Sequence, residues 1–115
     1  MQLKNDLDGR NALQRVILGY YAEKERAATC FLDSTGPDGG ICLHFLVDRR
    51  RVIRYCIGID RGLYLGVVQL AIGPHYFSAA DFWSYESSKR FTLETTPEAV
   101  IRNLMLLDEF WEEHG

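Results

Sequence analysis

The residues of this sequence best suited to chemistry are its cysteines and histidines. Cys30, Cys42 and Cys56 lie twelve and fourteen residues apart. Zinc sites usually pair their ligands at short spacings such as Cys-x2-Cys, and these cysteines do not. Cys42 and His44 share one face of a predicted strand, and the strand pairing argued below adds Cys56. These three are the candidate metal ligands, but the spacing favours cysteines buried as small apolar residues, with no cofactor.

A cysteine nucleophile activated by histidine is the second chemical possibility. In the pairing argued below, Cys56 lies beside His44, which could accept the thiol proton. Both residues would lie in the middle of strands, without a glycine elbow or a helix N-terminus to expose and stabilise a thiolate. The sequence therefore predicts that the protein is not an enzyme.

Arginines form a third candidate site. The run Arg49–Arg51, with Arg54 and Arg61, could hold an anion or a phosphate, because guanidinium groups bind both well. Charge runs at hairpin tips are also commonly solvated, and this simpler interpretation is favoured.

Composition indicates one ordinary folded domain over residues 1–115. Hydrophobic residues make up 47% of the chain and charged residues 25%, so a core can form without metals or disulfides. The net charge of −3 argues against nucleic-acid binding. No apolar stretch approaches the roughly 18 residues of a membrane span. An odd number of cysteines and no apolar signal segment predict a reduced, cytoplasmic protein.

Two helices are predicted, one at each end of the chain. The first begins near Asp8 or Asn11, where apolar residues start to recur at helical spacing. Its stripe consists of Leu13, Val16, Ile17, Tyr20 and Tyr21. The second covers residues 97–113, because Thr96 can cap it and Pro97 suits the first helical position. Its stripe consists of Val100, Leu104, Leu107 and Trp111, widened on one side by Ile101.

Between the helices the apolar period changes to two, which predicts strands. The runs are residues 27–33, 41–47, 51–59 and 63–72. A short helix is predicted to begin at Ser78. The fold class is therefore α+β: a four-stranded, mainly antiparallel sheet, covered on one face by the N-terminal and C-terminal helices, with the short helix between them.

Two of the strand connections can be predicted in more detail. Gly62 can adopt a positive φ, so a tight hairpin is predicted before the fourth strand. For the second and third strands, pairing Asp48 with Val52 leaves the three residues 49–51 as the loop. This register also places His44 beside Cys56. It matches apolar partners on one face: Val47 with Ile53, Phe45 with Tyr55 and Leu43 with Ile57.

The last helix ends in carboxylates, which oppose its dipole at a cost of a few tenths to about 1 kcal/mol. A local rule broken at the surface suggests a function there. The simpler interpretation, which is favoured, is that these are solubility charges at a fraying helix end. Leu106 and Phe110 lie on a shoulder of the helix, where they either pack under another element or form an apolar patch beside the acids. Aromatic residues are common interface anchors. The predicted partner-binding residues are Trp83, Tyr85, Leu106, Glu109, Phe110 and Glu113.

Several segments of the second half follow a pattern found in a known group of proteins. They are residues 62–67, 77–83, 90–92 and 96–104, continuing to Leu107 and Asp108. Over roughly residues 62–111 the chain resembles small bacterial immunity proteins of toxin systems. The resemblance implies a non-catalytic protein that binds a cognate toxin, often a basic nuclease, through acidic and aromatic surface residues.

The leading functional prediction is therefore an immunity protein that neutralises a toxin domain by binding and occlusion, as a monomer or a homodimer. Two alternatives stay open. One is a chaperone or adaptor for a secreted partner, which would use an open sheet face or edge. The other is a small metal-binding protein built around Cys42, His44 and Cys56.

Overall fold

Five antiparallel strands form one sheet, in the order in which they occur along the chain. The computed structural model describes residues 1–35, 39–78, 81 and 89–114. The elements are α1 (Leu7–Glu23), β1 (Ala28–Thr35), β2 (Ile41–Val47), β3 (Arg51–Asp60), β4 (Leu63–Ile72), β5 (His75–Ser78) and α2 (Pro97–His114). The α+β class is confirmed. The strand number is corrected from four to five.

The strand that the sequence did not predict is β5. Gly73 and Pro74 end β4 after Ile72 and form the loop of a further hairpin. Ile72 pairs directly with His75, so the loop contains only these two residues. Gly73 has a φ of 60°, which glycine adopts at little cost in a tight hairpin. Gly73 and Pro74 therefore reverse the chain, and the sheet continues with β5.

Both helices begin with a side-chain cap. The Asp6 carboxylate accepts a hydrogen bond from the Gly9 N–H at 2.8 Å, so α1 begins at Leu7, before the predicted Asp8 or Asn11. The predicted cap of α2 is confirmed, because the Thr96 hydroxyl accepts a bond from the Ala99 N–H at 3.2 Å. These contacts satisfy backbone donors that have no partner within the helix.

The core lies between the two helices and one face of the sheet. It takes in the predicted stripes of both helices; only Val16 is no more than partly buried. Ile101 corrects the prediction, because it is 38% exposed and lies on the outer side of α2. In the described part of the chain, no helix is long and apolar enough to cross a membrane.

The register between β2 and β3 differs from the predicted one by two residues. Val47 pairs with Arg51, so the loop is residues 48–50. Asp48 and Arg49 have φ values of 54° and 60°, which removes both from the strands. The Asp48 N–H also donates to the Ala27 carbonyl oxygen at 2.8 Å. Because the shift is even, every side chain keeps its predicted face.

This shift changes the partners of the candidate catalytic residues. Cys42 now lies opposite Cys56, and His44 lies opposite Arg54. The predicted neighbours His44 and Cys56 are therefore not a cross-strand pair.

The predicted short helix falls mostly on residues 79–80 and 82–88, which lie outside the described part of the chain. Its first residue, Ser78, is the last residue of β5. The Asp81 carboxylate accepts bonds from the Ser78 N–H at 2.9 Å and from the Ser78 hydroxyl at 3.1 Å.

Candidate functional site

The sheet face turned away from α1 and α2 is called the open face here. It carries five polar side chains, one from each strand: Ser34, His44, Arg54, Gln69 and Tyr76, called the polar row. His44 Nε2 is 3.0 Å from the Ser34 hydroxyl, and its Nδ1 is 2.8 Å from the Tyr76 hydroxyl. Arg54 Nε donates to Gln69 Oε1 at 2.8 Å. The Arg54 guanidinium also lies 4.1 Å from the centre of the Tyr76 ring.

His44 is the buried member of the polar row. Its side chain is held from both sides by hydroxyl groups, and the whole residue is only 5% exposed. Burial lowers the pKa of His44, and the positive charge of Arg54 lowers it further. The imidazole is therefore held neutral, with one ring nitrogen donating a hydrogen bond and the other accepting one.

This environment predicts a specific dependence of stability on pH. The folded-state pKa of His44 lies below its ordinary value of 6.5, so the unfolded chain takes up the proton first. The stability contribution is complete above the ordinary pKa and is lost as pH falls below it. Replacing His44 with glutamine should therefore reduce the loss of stability between about pH 7 and pH 5.

The measurement is urea unfolding across that pH range. His75→Gln is the control, because His75 is exposed at the start of β5. Equal pH slopes for the His44→Gln variant and the unmodified protein would contradict the assignment.

The cysteines on the open face form a disulfide. Cys42 and Cys56 are bonded across β2 and β3, and Cys30 on β1 is free. The expectation of a fully reduced protein is therefore wrong for this pair. A disulfide supplies neither a thiolate nucleophile nor thiolate ligands. The structure thus does not bring Cys42, His44 and Cys56 together as a site, and the described residues contain no cluster of three side chains that could hold a metal ion.

A groove of about 510 Å³ runs along the open face beside the polar row. Arg54 and Gln69 lie at one end and Asp60 at the other. Between them, the groove is lined by the Cys42–Cys56 disulfide and by apolar side chains of β4, among them Leu65 and Val67. The alternation of side chains along each strand could be predicted from the sequence. The register that brings the polar row together could not.

The candidate arginines are not brought together as one anion site, which was the less favoured interpretation of the sequence. Arg54 lies on the open face, and Arg61 lies in the turn between β3 and β4. Arg51 instead stacks over the Trp111 ring, with its guanidinium 4.7 Å from the ring centre. Near it, Arg26 forms ion pairs with Asp48 at 2.9 Å and Asp108 at 2.7 Å. At this end of the sheet, the arginines therefore take part in an ion-pair and stacking network.

The predicted partner-binding residues differ in burial, and some of them lie outside the described residues. Leu106 is 5% exposed, and Phe110 is partly buried against the core. Both residues therefore pack against other parts of the protein and do not form an exposed apolar patch beside the acids. Glu109 is exposed and pairs with Arg90 at 3.0 Å. Trp83 and Tyr85 lie outside the described residues, as does the side chain of Glu113.

A different apolar pair is exposed on α2. Ile101 and Met105, one helical turn apart, are 38% and 52% exposed. With the charged residues beside them they form the outer row of α2: Glu98, Ile101, Arg102, Met105, Glu109 and Glu112. Their angular position on the helix did not predict this exposure, because Ile101 borders the buried stripe.

Comparisons with protein-family models, with curated proteins and with solved structures find no match to this chain. The geometry of the open face and of the outer row is therefore what bears on function.

Proposed function

We propose that this protein is a non-catalytic immunity protein that binds a bacterial toxin and covers its functional surface with the outer row of α2. The observation that carries the proposal is the exposed pair Ile101 and Met105, bracketed by carboxylates. The opposite side of the same helix is fully packed. Among the described residues, neither Ile101 nor Met105 belongs to the core cluster, so their exposed surface is free to contact another molecule.

Three of the four charged residues of the outer row are carboxylates and the fourth is Arg102, a balance that fits a basic partner. Glu98 precedes the apolar pair, and Glu109 and Glu112 follow it. Glu109 does pair with Arg90, but both side chains are about half exposed, at 47% and 52%. Ion pairs this exposed contribute little to stability, so Glu109 can exchange Arg90 for a cation of the partner. Carboxylates would thus steer the encounter, while Ile101 and Met105 are buried on contact.

The open face supports a non-catalytic mechanism. Its candidate nucleophile is held in the Cys42–Cys56 disulfide, and both nitrogens of His44 have hydrogen-bond partners. Neutralisation by steric cover needs neither residue.

The test is co-expression with the product of the reading frame adjacent to its gene. The unmodified protein should restore the growth of cells that express this product and should co-purify with it. Met105→Asp and Ile101→Asp should each weaken binding by about tenfold or more, since a buried anchor is replaced by a charge. Continued toxicity in the presence of the unmodified protein would overturn the proposal.

Phe31→Asp is the matched control. Phe31 is 53% exposed, almost the same as Met105 at 52%, but it lies on the open face. This substitution should leave rescue and binding unchanged.

The second candidate function is a chaperone or adaptor, and one observation favours it. In the described part of the chain, the edge strand β1 pairs only with β2. It also exposes two neighbouring apolar side chains, Phe31 and Leu32, at 53% and 48%. Such an edge can accept a strand of another protein. Loss of binding in the Phe31→Asp variant, with Met105→Asp unaffected, would select this function instead.

A further inference from the structure

We infer that the groove on the open face is a binding site for a small monocarboxylate with an apolar body, and that Arg54 binds the carboxylate. This inference is independent of the proposed function, because it uses the face of the sheet opposite to α2.

The first argument is the charge of Arg54. Among the residues that the structure describes, no carboxylate forms an ion pair with it. Its neighbour His44 is held neutral by burial and by Arg54 itself. Arg54 is thus a cation at the centre of the sheet whose charge the described side chains leave uncompensated. An anionic ligand would supply the missing charge.

The second argument is that Arg54 is held in place before any ligand arrives. Gln69 accepts a bond from Nε at 2.8 Å, and the Tyr76 ring stacks on the guanidinium at 4.1 Å. None of the described residues accepts a hydrogen bond from the two terminal nitrogens. These two nitrogens form a fork that matches the two oxygens of a carboxylate.

The third argument is the size and lining of the groove. Its volume of about 510 Å³ lies in the range of small-molecule sites. From Arg54 to Gly58 the groove follows β3 for four residues, or about 13 Å at the rise of an extended strand. Along this length it is lined by the disulfide and by Val67 and Leu65. These contacts fit an unbranched apolar chain attached to the carboxylate.

The single cation also selects the class of anion. A phosphate dianion would need more positive charge than Arg54 provides, and the only other charged side chain at the groove is the carboxylate of Asp60 in the described part of the chain. Asp60 lies at the far end, where it would repel a second anionic group. The site therefore fits one carboxylate at the Arg54 end and an uncharged tail.

The experiment is calorimetric titration of the intact protein with decanoate, below its micelle concentration. Decanamide tests the apolar chain without the charge, and acetate tests the charge without the chain. Decanoate should bind at least about tenfold more tightly than either, because a charge-assisted hydrogen bond is added to apolar burial. Equal affinities of decanoate and decanamide, or no binding of decanoate at millimolar concentration, would overturn the inference.

Variants assign the binding to the groove. Arg54→Gln should weaken decanoate binding by about tenfold, to the level of decanamide. Arg15→Gln should not change it, because Arg15 is exposed on α1, behind the sheet. Val67→Glu leaves Arg54 and its two partners in place but puts a negative charge in the groove, and it should also abolish binding.

Thermal melts of each variant show whether it is folded. Amide chemical shifts at Gly58 and Val67 locate the bound decanoate. Unchanged affinity in folded Arg54→Gln and Val67→Glu variants would show that decanoate binds elsewhere and would contradict the inference.

Discussion

Replacing Asn103 with leucine should lower the free energy of unfolding by about 3 kcal/mol. Asn103 is 1% exposed, and its amide holds β3 and the segment that precedes α2 to this helix. Nδ2 donates to the Tyr55 hydroxyl and to the Thr92 carbonyl oxygen, both at 2.8 Å. Oδ1 accepts a bond from the Thr92 N–H at 2.9 Å. Leucine fills a similar volume but leaves all three groups without this partner.

The large effect follows from where these groups lie. Tyr55 is fully buried on β3, and burial raises the pKa of its hydroxyl to about 12. The hydroxyl is therefore neutral and accepts the bond from Asn103. A buried polar group that loses its partner costs about 1–3 kcal/mol, because water cannot replace the lost bond.

Urea unfolding measures the effect. Arg102→Leu is the control for the change in helix propensity, because Arg102 is the exposed neighbour of Asn103, and it should change stability by less than about 0.5 kcal/mol. In a Tyr55→Phe background, Asn103→Leu should cost about 1 kcal/mol less, since the hydroxyl that loses its partner is already gone. A cost below about 1 kcal/mol in the unmodified background would contradict the role of the network.

Replacing Arg26 with methionine should lower the free energy of unfolding by about 2 kcal/mol. Arg26 follows α1 and joins the β2–β3 loop to α2. Nε and Nη2 donate to Asp48 at 3.0 and 2.9 Å, and Nη1 donates to Asp108 at 2.7 Å. The guanidinium also lies 5.1 Å from the Tyr21 ring centre and 5.8 Å from that of Trp111. Methionine keeps much of the packing and removes the charge.

The destabilisation comes from the carboxylates that remain. Asp108 and Asp48 have side chains that are 17% and 31% exposed, so water compensates only in part for the lost cation. The Tyr20 hydroxyl still donates to Asp108, which limits the effect.

A double-mutant cycle tests this explanation. With Asp108→Asn already in place, Arg26→Met should cost measurably less than it does alone, because one of the two carboxylates is absent. Arg15→Met is the control, since Arg15 is exposed on α1, and it should change stability by less than about 0.5 kcal/mol. Equal costs in the two backgrounds would show that the contact with Asp108 contributes nothing to the effect of Arg26, which would contradict this explanation.

Features that depend on neighbouring residues could be predicted from the sequence. The apolar periods of 3.6 and 2 identified both helices and four strands, and Thr96 marked the start of α2. Gly62 marked the hairpin between β3 and β4; it has a φ of 80°. These features arise from local sterics and from the direction in which successive side chains point, which is the same in any fold.

Other features depended on contacts between distant residues. Asp48 leaves β2 because its backbone and its carboxylate bind Ala27 and Arg26. That contact sets the register, and the register decides that Cys42 meets Cys56. The alternation pattern could not show this, since a shift by two residues preserves every face.

The sequence by itself determined which side chains face the helices and which face away. Only the tertiary structure decided which of the outward-facing side chains are buried and which partners they contact. Leu106 is buried and Met105 is exposed, although they are adjacent residues of one helix. The polar row joins residues as far apart as Ser34 and Tyr76 through His44. The physical reason is that hydrogen bonds and ion pairs between strands depend on register and turn geometry, which local periodicity does not specify.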